Sequence, residues 1–135
     1  MRFKVGDSAE ITKTIEQSDV DAFANVTGDH NPVHVDEEFA KTTRFGRRIA
    51  HGMFTASLIS AVLANKLPGE GNVYLGQTLQ FVAPVFAGDE VTARVVVREI
   101  REDKPVVKLE TICTNQRGEV VIRGEATVLA ADERT

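Results

Sequence analysis

Hydrophobic and polar residues alternate along some parts of this chain and follow a helical period in others. Residues Ala9–Ile15 alternate, which predicts a first β-strand. A short amphipathic helix is expected next, with Ser18 as its N-cap and Gly28 as the residue that ends it. Pro32 disfavours helical geometry at the residue before it, so residues 29–34 are expected to form a turn or an irregular segment.

The segment from Met53 to Leu67 differs from the rest because nearly every side chain is apolar or small. A surface helix would carry a polar stripe, so this pattern predicts a buried helix. Lys66, Pro68 and Gly69 mark its end. A helix of about 15 residues spans roughly 22 Å, which is too short to cross a membrane.

Beyond Gly71 the chain is rich in β-branched residues that alternate with polar ones, which predicts four long strands. Turn-forming residues at 102–105 and 115–119 predict hairpins between them. Since a buried helix must be enclosed, the expected fold is α+β, a single domain over 1–135 in which one antiparallel sheet curls around the helix. Such a unit leaves a free sheet edge, which predicts a homodimer. The predicted strands lie at 72–82, 89–102, 105–116 and 119–130.

Composition narrows the classes of function. The chain has 135 residues and a formal net charge of −4, and its 16 basic residues are scattered, which argues against nucleic acid as the main partner. The one cysteine, Cys113, lies in a strand-like apolar run and is expected in the core; a single cysteine fits a reducing compartment. The first residues lack the apolar run of a signal peptide, so a cytoplasmic location without a membrane partner is expected.

Polar chemistry is concentrated between Gly28 and His34, a stretch that holds two of the three histidines. Asp29 and His34 can aim a carboxylate and an imidazole at one water molecule, as a general acid–base pair requires. Asp29 is also an ordinary turn residue and His34 an ordinary surface residue, so the pattern alone leaves both interpretations open. His30 and His34 have the spacing of a zinc pair on a helix, but Pro32 disfavours a regular helix there, and no metal site is expected.

Two further features stand beside the start of the predicted buried helix. Gly52 lies where free backbone N–H groups and the positive end of the helix dipole can stabilise an oxyanion. Tight packing would equally explain a glycine there. The densest basic run of the chain lies just upstream and forms either a solvated face or an anchor for substrate phosphates. It consists of Lys41, Arg44, Arg47 and Arg48.

Longer stretches of the sequence resemble a known family. The run from Phe23 to Met53, which ends in AHGM, resembles the (R)-specific enoyl-CoA hydratases, the MaoC-like group of the hot-dog fold. The segments LPGEGNVYLGQTLQF and PVFAGDEVTA also match, so the likeness covers nearly the whole chain and is nearest to the short, polyhydroxyalkanoate-linked hydratases. The D-x-x-x-x-H hydratase motif is matched at Asp29, Asn31, Pro32 and His34.

This resemblance implies a homodimer that acts on an acyl-CoA substrate without a metal or organic cofactor. It implies that Asp29 and His34 are the catalytic pair and hold the water that adds to a trans-2-enoyl-CoA. Asn31 resembles the motif asparagine that steadies the turn, and Gly52 resembles the glycine whose backbone amide holds the thioester oxygen. The residues that fall where relatives line the acyl pocket are Ser60, Leu63 and Val128.

A hot-dog fold alone does not fix the activity, because the same fold carries other functions. One alternative is an acyl-CoA thioesterase, and another is a 3-hydroxyacyl dehydratase that acts on acyl-carrier protein. A non-catalytic acyl-CoA-binding module is the third, and the presence of both Asp29 and His34 argues against it. Dehydration of (R)-3-hydroxyacyl-CoA is the reverse reaction of the same enzyme.

Overall fold

One antiparallel sheet packs against a long helix, and several short helices connect the first strand to that helix. The computed structural model describes residues 2–131, so residues 1 and 132–135 of the predicted domain lie outside the described part. In chain order the elements are β1 (Ser8–Thr14), α1 (Gln17–Thr27), α2 (Pro32–Val35), α3 (Glu37–Lys41), α4 (Gly52–Asn65), β2 (Val73–Gln77), β3 (Gln80–Phe81), β4 (Glu90–Ile100), β5 (Val106–Thr114) and β6 (Val120–Leu129).

The sheet order is β1-β4-β5-β6-β2, with β3 also paired to β6, and the pairs are antiparallel. Strands β4, β5 and β6 form a meander through tight connections, as the turn residues predicted. Their inward side chains and the buried side of α4 form one hydrophobic core. The α+β architecture predicted from the sequence is confirmed.

Cys113 lies at the centre of this sheet. It pairs with Ala93 of β4 and Ile122 of β6, and its side chain is fully buried. Burial raises the pKa of the thiol to about 12, because the thiolate would lose its hydration. Cys113 is therefore a core residue, as its apolar neighbours predicted.

The strand predicted over 72–82 is divided in the structure. The chain leaves β2 after Gln77 and rejoins the sheet as β3, and between them the backbone of Thr78 crosses over Gly124 of β6. A Cβ atom at Gly124 would lie 1.8 Å from the Thr78 carbonyl oxygen, so this crossing requires glycine. Alternation of residue types does not report such a close backbone approach.

The start of α1 was predicted wrongly and its end correctly. Glu16, not Ser18, is the N-cap: its backbone oxygen accepts the N–H of Asp19 at 3.0 Å, and the carboxylate of Asp19 accepts the N–H of Glu16 at 3.0 Å. This reciprocal pair caps the helix two residues before the predicted serine. Gly28 ends the helix in the left-handed conformation, with φ of 82°.

Helix α4 is buried on one side only, although its sequence is apolar nearly all round. Six of its residues are buried, and they are Thr55, Ala56, Leu58, Ile59, Val62 and Leu63. Met53, Ser57 and Ser60 lie on an exposed stripe at the helical spacing of four and three residues. No helix within residues 2–131 has the length and apolar character needed to span a bilayer.

Candidate active site

The turn between α1 and α2 places the acidic and imidazole groups of the motif. Asn31 is the N-cap of α2: its side-chain oxygen accepts the N–H of Val33 at 3.3 Å, and Pro32 occupies the first helical position. Asn31 itself is non-helical, as Pro32 predicts, with φ of −53° and ψ of 123°. The expectation that irregular backbone reaches His34 is wrong, because proline is well suited to begin a helix, and His34 lies on that helical turn.

Asp29 is exposed, and its carboxylate is only partly engaged. One oxygen accepts the backbone N–H of Asn31 at 3.3 Å, which is an Asx-turn contact. The ordinary turn role and an open carboxylate therefore coexist in one residue. Asn31 thus supports both candidate catalytic residues: its N–H donates to the carboxylate of Asp29, and its side chain caps the helix that carries His34.

His34 is buried, and one ring nitrogen is committed. Nδ1 lies 2.8 Å from the backbone oxygen of Ile49. A carbonyl only accepts, so Nδ1 carries the hydrogen and a neutral ring presents Nε2 as a bare acceptor. Burial lowers the pKa of His34 below 6.5, an effect that the contact with Ile49 and the charge of Asp29 partly oppose. The neutral form is therefore favoured near pH 7.

The structure brings Asp29, His34 and His51 together. One carboxylate oxygen and one nitrogen from each ring all lie within 4.8 Å of one another. Metal coordination suits this cluster poorly, because the His34 and His51 rings stack with centroids 3.9 Å apart and planes 29° apart. Imidazole binds a metal in the plane of its ring, so stacked rings direct their nitrogens side by side rather than at one ion. His30, the partner suggested by spacing, is exposed and outside the cluster.

Helix α4 begins beside this cluster, with His51 as its N-cap and Gly52 as its first residue. The side chain of His51 caps no helical N–H. Within residues 2–131, the N–H groups of Gly52 and Met53 donate to no protein group. A Cβ atom at Gly52 would lie 2.6 Å from the ring of Phe81. Close packing and a free helix terminus therefore both apply at Gly52.

A cleft of about 410 Å³ opens over these groups. Its walls include Asp29, His34, Gly52 and Thr55, and the hydroxyl of Thr55 is buried without a hydrogen-bond partner in the described chain. Arg44 stands at the edge of this cleft. The remaining lining is largely apolar, which suits a substrate with one polar reacting centre.

The other basic residues of the predicted phosphate anchor have partners of their own. The guanidinium of Arg47 lies 4.0 Å from the centre of the Phe86 ring. Arg48 pairs with Glu37 at 3.1 Å. Of the three arginines, Arg44 is the one that lines the cleft.

The three residues expected to line the acyl pocket do not share one surface. Ser60 is exposed and lines a second groove of about 380 Å³ between α4 and β2, which also contacts Met53. Leu63 and Val128 belong to the hydrophobic core, with exposures of 1% and 0%. Ser60 and Leu63 are three residues apart on α4, yet the border between the exposed and buried sides of the helix runs between them.

Comparisons with known proteins agree with this architecture. The MaoC-like domain family matches residues 4–117. The (R)-specific enoyl-CoA hydratase of Aeromonas caviae is 50% identical over 125 residues, which cover 93% of each chain. The (R)-specific enoyl-CoA hydratase of Rhodospirillum rubrum is 52% identical over 126 residues, covering 93% of this chain and 87% of the relative.

Among solved structures, the (R)-hydratase from A. caviae involved in PHA biosynthesis superposes with a TM-score of 0.93. The two chains are 48% identical, and the match covers 96% of this chain and 98% of the other. The expected hot-dog fold is thereby confirmed. The family match and the relatives agree over almost the same length, and this chain belongs to the MaoC-like domain family.

Proposed function

We propose that this protein is an (R)-specific enoyl-CoA hydratase. It adds water to a trans-2-enoyl-CoA to give (R)-3-hydroxyacyl-CoA, and it runs the reverse dehydration. The observation that carries the proposal is the convergence of the Asp29 carboxylate and the His34 imidazole within 4.8 Å at the free N-terminus of α4. The (R) outcome rests on likeness to relatives of that name.

One water molecule suits the space between the two catalytic groups. A water held about 2.8 Å from each of two acceptors bridges roughly 4.5 Å, and one carboxylate oxygen of Asp29 and one ring nitrogen of His34 lie within 4.8 Å of each other. The Asp29 carboxylate and Nε2 of His34 are both acceptors, so they take the two O–H groups of that water. Its lone pair is then left free to attack C3 of the enoyl group.

Electrons move to the thioester oxygen as the C3–O bond forms. The free N–H of Gly52 at the start of α4 is the donor that we assign to that oxygen. Such a donor stabilises an oxyanion-like transition state by about 3 kcal/mol. One of the two acceptors takes a proton from the water as the C3–O bond forms, and a proton is then delivered from this pair to C2, so the alkene gains one hydrogen and one hydroxyl and the enzyme regains its starting state.

The CoA phosphates require cations at the mouth of the cleft. We assign the principal contact to Arg44, because it lines the cleft. Arg47 and Arg48 are supporting cations, since they are not among the residues that line the cleft and Arg48 is paired with Glu37. Arginine suits this role because it binds phosphate oxygens through two hydrogen bonds at once.

The acyl chain needs an apolar path away from Gly52. The groove that contains Ser60 meets the catalytic cleft at Met53, which lines both, and we propose that the chain follows it. Leu63 and Val128 are packed in the core that carries α4 and the sheet, and we propose that their bulk limits the depth available to the chain.

A homodimer is the assembly that we propose for this domain. Strand β1 ends one side of the sheet with exposed polar residues, which discourages pairing with another chain. The opposite edge, at β2 and β3, exposes apolar side chains that a second copy would cover. The exposed apolar residues on this side are Val73, Tyr74, Leu75, Phe81 and Val82. Sedimentation is expected to show a dimer, and a stable, active monomer would contradict this assignment.

The decisive experiment is hydration of crotonyl-CoA, followed by chiral analysis of the 3-hydroxybutyryl product. Asp29→Asn and His34→Gln should each lower kcat at least about a hundredfold, the effect of losing a positioned acid or base. Both variants should stay folded, because Asp29 is exposed and glutamine approximates the size of imidazole. His30→Gln is the matched control: it lies on the same turn outside the cluster and should retain the wild-type rate.

Assays with other substrates separate the alternative functions. Release of free thiol from saturated acyl-CoA would indicate a thioesterase, and a strong preference for carrier-bound substrate would indicate an acyl-carrier-protein dehydratase. Tight binding without turnover would indicate a binding module.

We propose a cytoplasmic location for this protein. A single buried cysteine fits a reducing compartment such as the cytoplasm.

A further inference from the structure

His51 contacts both catalytic residues, yet the reaction described above assigns it no role. Its Nε2 lies 3.0 Å from the backbone oxygen of Asp29. The face of its ring stacks on His34, with centroids 3.9 Å apart. The side chain is 2% exposed, so these contacts are made away from bulk water.

The hydrogen bond to Asp29 determines which nitrogen of the His51 ring carries a hydrogen. Nε2 must carry a hydrogen, because the Asp29 carbonyl can only accept. Nδ1 is buried and has no hydrogen-bond partner in the described chain. His51 therefore acts as a hydrogen-bond donor through Nε2 and presents the flat face of its ring to His34.

The position of the ring is fixed from its other neighbours. Phe23 of α1 packs against it with ring centroids 4.8 Å apart, and His51 itself precedes the first residue of α4. Both helices are anchored in the core through buried residues such as Val20 and Ile59. The catalytic turn that carries Asp29 is otherwise exposed, so His51 links it to the rigid part of the molecule.

We propose that His51 is a positioning residue for the hydration reaction: its Nε2–H holds the main chain of Asp29 and its ring face holds the imidazole of His34, which keeps the two acceptors at the separation that one bridging water requires. The proposal rests on the proposed function. Misplacement of a reacting group by about 1 Å can lower a rate a hundredfold, so such a residue affects the rate through the two groups that it positions.

Two substitutions separate the two contacts. His51→Phe keeps a stacked ring and removes the donor, whereas His51→Gln keeps an N–H donor and removes the ring. His51→Phe should lower kcat about tenfold to a hundredfold and leave KM within about twofold. Thermal melting must show a folded protein in each case. His30→Phe, an exposed histidine two residues before Pro32, is the control and should leave both constants unchanged.

A double-mutant cycle with Asp29→Asn distinguishes positioning from a general structural role. If His51 acts through the Asp29 carboxylate, then adding His51→Phe to Asp29→Asn should lower kcat only slightly further. The same further loss in both backgrounds would overturn the proposal, and so would a wild-type kcat in folded His51→Phe.

Titration of His34 by NMR tests the stacking contact without using activity. Loss of the covering ring in His51→Gln should admit water and raise the pKa of His34, whereas His51→Phe keeps the ring and should raise it less, because it removes only the smaller contribution of the His51 charge. An unchanged pKa in His51→Gln would contradict the proposed stacking role. If the pKa of His34 changes as expected between wild type and His51→Gln but the wild-type protein does not hydrate crotonyl-CoA, the proposed function is contradicted instead.

Discussion

The two ends of helix α4 are built in opposite ways. At the start, the N–H of Gly52, Nδ1 of His51 and the hydroxyl of Thr55 have no hydrogen-bond partner in the described chain. At the end, the backbone oxygen of Leu63 accepts from Gly69 at 2.9 Å and from the side chain of Asn72 at 2.7 Å. One helix therefore has an open end and a sealed end.

This difference separates function from stability along a single element. Buried polar groups without partners are costly, and proteins retain them where a ligand completes the bonding. Buried groups that are fully satisfied stabilise the chain and contribute nothing to ligand binding. Substitutions at the open end should therefore change rates, and substitutions at the sealed end should change the free energy of unfolding.

The sharpest test of the open end is Gly52→Pro compared with Gly52→Ala. Both add a Cβ atom against the half-exposed ring of Phe81, but only proline removes the N–H. Proline is favoured at the first helical position, and the extended backbone of His51 suits a following proline. We expect kcat of Gly52→Pro to be about a hundredfold below that of Gly52→Ala. Equal rates in the two folded variants would remove Gly52 as the oxyanion donor.

Arg44 tests how far the open end extends toward the CoA phosphates. Arg44→Gln should raise KM for crotonyl-CoA about tenfold, the cost of one charge-assisted hydrogen bond, with kcat nearly unchanged. Arg48→Gln should raise it less, because that guanidinium is already paired with Glu37. A crotonyl pantetheine thioester lacks the nucleotide phosphates, so both variants should bind it like the wild type. If Arg48→Gln has the larger effect, the assignment of Arg44 is wrong.

Leu63 tests whether the sealed half also limits chain length. Leu63→Ala should lower the free energy of unfolding by about 2–5 kcal/mol, since Leu63 is buried in the core. A cavity that joins the acyl groove would raise activity on eight-carbon enoyl-CoA relative to crotonyl-CoA, by about 0.8 kcal/mol for each methylene accommodated. Leu58→Ala, a comparable deletion on another side of α4, should leave the chain-length profile unchanged. An unchanged profile in folded Leu63→Ala would confine the acyl chain to the Ser60 groove.

The sequence predicted the fold well because local signals and long-range packing agree. The alternating strands, the apolar helix and the glycine that ends α1 each report a local property. The break at Thr78 was missed because it depends on Gly124, 46 residues later, which no local pattern shows. The N-cap of α1 was placed at Ser18 because serine is the commoner cap, while Glu16 and Asp19 cap it together.

The candidate site was predicted less completely. The motif identified Asp29 and His34 as candidates, and Pro32 argued against a metal pair of His30 and His34, but no role was predicted for His51, which lies beside both candidates in the structure. In the sequence, His51 is marked by its place before the predicted buried helix and by its position in the AHGM segment. The exposed side of α4 was also missed, because serine and alanine at Ser57, Ser60 and Ala64 are small enough to be buried or exposed.

Asn72 offers the complementary test of the sealed end. Asn72→Ala would leave the backbone oxygen of Leu63 with one donor fewer and should lower the free energy of unfolding by about 1–3 kcal/mol. Because Asn72 is remote from the cleft, kcat for crotonyl-CoA should stay within about twofold. Asn65→Ala, an exposed change on the same helix, should alter stability by less than about 0.5 kcal/mol. A large fall in kcat for folded Asn72→Ala would contradict the separation of roles.

The smallest expected effect is the pH dependence of the free energy of unfolding that arises from His34, which lies beside the open end of α4. Burial lowers the pKa of His34 in the folded state below the ordinary value of 6.5, so the unfolded chain binds its proton more readily. The stabilising contribution is therefore complete above about pH 6.5 and is lost as the pH falls through the folded pKa.

Denaturant unfolding between about pH 5 and 8 would measure this slope. His34→Gln cannot titrate there, so its stability should fall less steeply on the acid side than that of the wild type, while His30→Gln should keep the wild-type slope, since His30 is exposed. The acid limb of kcat/KM should lie below pH 6.5 for the same reason, because protonation removes the Nε2 acceptor that holds the attacking water. Parallel stability curves for wild type and His34→Gln would mean that His34 titrates alike in the folded and unfolded states, and the neutral acceptor assigned to it would then have no support from its surroundings.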